Sequence, residues 1–289
     1  MKPLFSTSGP WSQLLVFLFM WLVFALLSSG VSLLVLPLLP SDDGLLWCQF
    51  VSQLIMFAAP AFLFGWFYRG NPITYMHLEA KKTDVPLFLL SLGVMLLLSP
   101  VIDRITIWND GLHFPLGMEA IEDVFRQVSQ LSEQFLTPYL QRSDFVSFMQ
   151  NILILAICPA ICEEIFFRGV LQQVVGQCVK NVFFSIFITA VIFSLAHGDL
   201  FAFVPRMLLG IVLGYLFYWT DCIWVNVIAH FVNNAAVVVL YWLYVNNCIA
   251  INPSSPLNYS WVVVLFSLCV AMFLLVLIRI IAYRKTGNV

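Results

Sequence analysis

Long apolar runs joined by short polar connections make up most of this chain. A helix needs about 20 apolar residues to cross the hydrocarbon of a bilayer. Eight segments meet or approach that length: 11–36, 45–68, 86–108, 144–178, 182–196, 201–219, 223–245 and 261–283. The first ends at a turn over 40–44, and Pro60 predicts a kink in the second. A polar connection with Lys81 and Lys82 precedes the third, and a loop rich in Asn, Pro and Ser, 246–259, precedes the last. The long stretch between spans, 109–143, has a different rhythm. Met118, Ile121, Val124, Phe125, Val128, Leu131, Phe135 and Leu136 recur at helical spacing, with Glu119, Glu122, Asp123, Arg126 and Glu133 on the other face. This predicts an amphipathic helix on the membrane surface, a strut or a substrate gate. Its face is acidic, so anionic lipid is not its main attraction. There is no internal repeat and no alternating barrel pattern. The expected fold is all-α: a single membrane domain over 1–289, with about eight transmembrane helices and one interfacial helix.

Composition strengthens this reading. The 289 residues are 62% hydrophobic and 10% charged, with mean hydropathy +0.96. A soluble protein carries about 25% charged residues, so no soluble domain is expected beside the bundle. The expectation is a multi-pass integral membrane protein whose constant partner is lipid. A net charge of -2 without a basic stripe argues against nucleic acid. The seven cysteines are scattered through apolar runs with no CxxC pair, and read as small hydrophobes. The first apolar run is too long for a cleaved signal peptide and reads as a first span.

Against this background the fourth span stands out. Residues 161–169 read Ile-Cys-Glu-Glu-Ile-Phe-Phe-Arg-Gly. A charge at the bilayer centre costs at least ~3 kcal/mol, so Glu163, Glu164 and Arg168 need a reason to be there. A buried structural ion pair is the plain one. Glu164 and Arg168 are four apart and can pair, while Glu163 points about 100° away and stays available. The fifth span ends at His197, and the seventh carries His230 and Asn234, four apart. Spans four and five form a hairpin with its tip near Lys180. Glu163 and His197 each lie 17 residues from that tip, which places both ~25 Å from it in antiparallel helices. His230 and Asn234 can reach the same layer.

One carboxylate, two imidazoles and an amide around a common point suit hydrolysis of an acyl bond. Glu163 would take a proton from water and His197 would orient it. His230 and Asn234 would donate to the developing oxyanion. The same Glu163, His197 and His230 could instead ligate one zinc with an open position. HExxH is absent, so the usual zinc helix cannot be invoked, and no GxSxG nucleophile motif occurs. A small proton-coupled transporter would also place Glu, Arg and His in its spans.

Three patterns now stand together: Glu163-Glu164-x3-Arg168, Phe193-x3-His197 and His230-x3-Asn234. With the stretch from Gly210 and Gly214 through 221–224, they resemble the CPBP family, the Abi or CAAX-protease-like intramembrane endopeptidases. The resemblance covers about 145–245, the expected catalytic core. It implies a bundle of eight helices with a cavity reaching in from one face. It also implies a peptide or lipidated protein as substrate and a glutamate mechanism without cofactor, with zinc as the alternative. Members remove the last three residues of prenylated proteins in eukaryotes. In bacteria they are linked to peptide processing and bacteriocin immunity, so a non-catalytic immunity or scaffold role is the competing expectation. The resemblance points to a bacterial inner or plasma membrane.

Basic residues near span ends favour the cytoplasm. With both termini inside, that side collects Lys2, Arg69, Lys81, Lys82, Lys180, Arg279, Arg284 and Lys285, against Arg104, Arg126, Arg142 and Arg206 outside. Glu163 and His197 then lie toward the outer face. Processing of prenylated proteins would need the opposite.

Overall fold

A computed structural model describes residues 8–38, 43–79 and 85–286, the side chains of 285 and 286 aside. Residues 40–42, Lys2, Lys81, Lys82 and the side chain of Lys285 therefore lie outside the described residues. Part of the 40–44 turn and four of the basic residues used above go with them.

Every element of the described residues is helical. We number them α1 (Pro10–Leu38), α2 (Gly44–Arg69), α3 (Pro72–Tyr75), α4 (Val85–Asp110) and α5 (Glu119–Leu140). They continue as α6 (Phe145–Val179), α7 (Val182–Leu195), α8 (Leu200–Thr220), α9 (Ile223–Val245) and α10 (Trp261–Thr286). Seven of these, all but α3, α5 and α7, are long and apolar enough to cross a membrane. The protein is a multi-pass membrane protein. The expected fifth span is the exception in length. α7 has 14 residues, because Ala196, His197 and the left-handed Gly198 end the helix where its partner α6 carries Glu163. α6, at 35 residues, is the longest helix described.

Proline leaves its mark as a change of winding. α2 turns π-helical over Leu54–Ala58 just before Pro60, and α6 does so over Ile152–Ile157 just before Pro159. Proline has no N–H, and its ring clashes with the carbonyl four residues back. The helix widens to bonds five residues apart, Ala59 N–H to Leu54 O and Cys158 N–H to Leu153 O. A third π turn, Phe167–Leu171, holds Arg168. The nine residues between the two π turns of α6 carry Glu163 and Glu164.

Two packed clusters hold α6 and α9 in the middle. Phe17, Phe57, Phe64, Phe166, Phe167 and Phe193 join α1, α2, α6 and α7. Leu87, Met95, Leu213, Val225, Ala229 and Leu275 join α4, α8, α9 and α10. α7 lies against α8 through two glycines. A Cβ at Gly214 would meet Ile186 Cγ2 at 2.6 Å, and one at Gly210 would meet Ala190 Cβ at 3.0 Å. Small residues permit such contact in membranes, and here they also bring two carbonyls of α8 within reach of α6.

α5 is the expected amphipathic helix. Ile121, Val124, Val128 and Leu131 leave the protein exposed on one side, as an interfacial helix requires. Its first turn is tied down by Glu122, which accepts from His113, Phe114 N–H and Arg126.

Candidate active site

The α6 face built from Glu164, Arg168 and Gln172 points at α8. Arg168 Nη1 donates to Glu164 Oε1 at 2.8 Å and Nη2 to Gly210 O at 3.0 Å. One helical turn on, Gln172 Nε2 donates to Gly214 O at 3.0 Å. Glu164 and Arg168 are both fully buried. The guanidinium also lies 4.9 Å over the Phe193 ring. A buried carboxylate is tolerable when paired and hydrogen-bonded, and Glu164 is both. It takes His230 Nδ1 at 2.8 Å and Asn226 Nδ2 at 3.4 Å as well.

Those contacts fix the tautomers. Glu164, already paired to Arg168, is an acceptor, so His230 Nδ1 carries the proton. His197 Nδ1 faces the Phe193 carbonyl at 2.8 Å, which can only accept. In the neutral ring each Nε2 is then a lone pair. Both lone pairs lie 3.9 Å from Glu163 Oε2. The Phe193 ring packs edge-on against both imidazoles, with centroids 5.0 Å from His197 and 5.9 Å from His230. Glu163 Oε2 is buried and has no hydrogen-bond partner in the described residues. Two acceptor nitrogens, one from the turn after α7 and one from α9, thus stand beside an acceptor oxygen of α6.

The space beside them is a cavity of about 90 Å³, lined by His197, Arg206, His230, Asn233 and Asn234 over an apolar floor that includes Phe193 and Leu209. One buried water needs roughly 10–15 Å³ of such space, so several fit. The His197 side chain is 32% exposed and that of His230 7%, so the cavity opens on the His197 side. A larger cavity, about 360 Å³, lies at the other end of the bundle around Lys180, His77 and Asp221. It has none of the acidic or imidazole residues named from the three motifs.

All six residues expected from the sequence meet in this region. Glu163, His197 and His230 share a focus, Glu164 and Arg168 support it from behind, and Asn234 lines the cavity. Sequence reasoning missed four others. Asn226 had a signal, since 226, 230 and 234 are spaced four apart along α9. Asn233 adjoins Asn234 and donates to its Oδ1 at 3.2 Å. Arg206 was counted only as a charge, yet it lines the cavity and pairs with Asp199 at 3.1 Å. Gln53, whose Nε2 reaches Glu163 Oε1 at 3.4 Å, had no signal at all.

Zinc can be tested against this geometry. The donor types suit it, including the Nδ1–H tethers on both histidines. The spacing does not. A tetrahedral zinc with bonds of ~2.1 Å holds its ligand atoms about 3.4 Å apart, and both imidazole nitrogens lie 3.9 Å from the carboxylate oxygen. No group of three or more His, Cys, Asp or Glu among the described residues is arranged to hold a metal ion.

Residues 145–236 match the family model of the Rce1-like proteins, type II CAAX prenyl endopeptidase. Over 89 residues the chain is 33% identical to a protein of Bacillus subtilis (strain 168) named "Putative membrane peptidase YdiL". The aligned stretch is 31% of this chain and 36% of that relative, so the chain spans about a third of the relative's length. No solved structure matches significantly. The segment that carries all three motifs, about a third of the chain, is thus similar to the Rce1-like proteins and to a protein named as a membrane peptidase.

Proposed function

We propose that this protein is an intramembrane endopeptidase that cleaves a peptide bond of a membrane-associated or lipidated substrate by glutamate-activated water, with 145–245 as its catalytic core. One observation carries the reading: the Nε2 atoms of His197 and His230 each lie 3.9 Å from the same buried oxygen, Glu163 Oε2. Three acceptors suit a molecule with two protons to give. Separations above 3.5 Å are those a bridging water spans.

In this reading, water donates one hydrogen toward Glu163 Oε2 and the other toward His197 Nε2. The O–H bond to Glu163 breaks as the oxygen bonds to the substrate carbonyl carbon. The carbonyl oxygen becomes an oxyanion and needs donors. Asn234, with two N–H groups at the cavity, supplies them. His230 donates there only when its ring carries both protons, because its Nδ1–H is committed to Glu164. When the C–N bond breaks, Glu163 returns the proton to the leaving nitrogen. General acid–base catalysis of this kind contributes about 10²–10⁴-fold.

The test is purified protein in detergent with a peptide library read by mass spectrometry. Cleavage by the wild type falls by about 10²–10⁴-fold in Glu163→Gln and persists in strong chelators. Undiminished cleavage in that variant removes Glu163 from the mechanism. Loss on chelation, restored by zinc, replaces the glutamate mechanism with a metal one. A cellular phenotype that survives the substitution points to a scaffold.

A further inference from the structure

The oxygen that Glu163 turns toward the histidines is only half of its carboxylate. The other, Oε1, receives Gln53 Nε2 from α2 at 3.4 Å. Gln53 stands where α2 enters the π turn Leu54–Ala58 that precedes Pro60, and π turns are frequent at functional sites. Gln53 Oε1 is buried without a hydrogen-bond partner in the described residues. A half-satisfied buried amide is a poor choice for stability alone, since an apolar side chain of the same length avoids that cost. Position 53 also lies far outside the matched segment 145–236.

We infer that Gln53 is a positioning residue for the general base. Its N–H fixes the rotation of the Glu163 carboxylate so that Oε2, and not Oε1, faces His197 and His230. The inference rests on the hydrolytic reading above. It adds that the site is not contained in the matched segment: α2 completes it.

Two substitutions test this. Gln53→Met keeps the length and removes the donor. Gln53→Asn keeps the amide but withdraws it by about 1.5 Å, one carbon–carbon bond. Both lower kcat by about ten- to a hundredfold, as displacement of a reacting group does. KM stays within about twofold, since ground-state binding is untouched, and the unfolding temperature moves by less than about 3 °C. Unchanged kcat in both variants overturns the inference, as does a joint loss of kcat, KM and folding stability. A second measurement needs no substrate. The Glu163 carboxylate stretch, isolated as the infrared difference between wild type and Glu163→Gln, shifts in both Gln53 variants; an unshifted band overturns the inference. Full cleavage by Glu163→Gln fells the hydrolytic reading itself. Its loss beside an unaffected Gln53→Met fells only the role of Gln53.

Discussion

Glu164 and Glu163 are neighbours in sequence with opposite surroundings. Glu164 has Arg168, His230 and Asn226 around it, whereas Glu163 has one long hydrogen bond, to Gln53. That split was legible in the sequence, because a helix turns about 100° per residue and Arg168 can face only one of the two acids. The role of Glu164 in holding His230 was not legible. It depends on how α9 rotates against α6, and no spacing within either helix reports that. A prediction follows for the ion pair. Arg168→Met leaves a buried carboxylate without its cation, and breaking such a pair costs about 3–5 kcal/mol. Thermal unfolding in detergent should show a clearly lowered transition, and the double variant with Glu164→Gln should recover part of the loss.

At the scale of elements, the apolar runs gave the order and approximate ends of the helices. They did not give their winding. Pro60 predicted a kink in α2, and the structure accommodates it with a π turn; a similar turn precedes Pro159. α5 was readable because its polar and apolar faces alternate at helical period. Its anchorage was not, since His113 and Phe114 lie outside the periodic stretch. The Phe114 N–H, with His113 and Arg126, holds the Glu122 carboxyl down to about 2, below the ordinary value near 4.3. A group depressed on folding stabilises above its unfolded value, and that contribution fades as pH falls through the folded one. Protection of the amides in the first turns of α5, taken relative to their intrinsic exchange rate at each pH, should therefore be high at pH 5 and fall progressively toward pH 2. Glu122→Gln should show low protection there across the whole range.

For the molecule as a whole, composition alone declared a membrane protein, and the seven long helices agree. The matched third of the chain supplies every motif residue, yet α2 reaches into the same site from outside it. Contacts of that kind leave no trace in a single sequence, because Gln53 and Glu163 are 110 positions apart. The length of α7 has a consequence for the lipid around it. Fourteen residues rise ~21 Å, against a hydrocarbon slab of ~30 Å. Beside this helix the bilayer must dimple, or let water descend to the level of His197. The protein thus carries its own thin spot, with little hydrocarbon left to cross beside the histidine. Reconstitution into lipids of increasing acyl length should slow turnover stepwise, while the same protein in detergent stays indifferent to tail length.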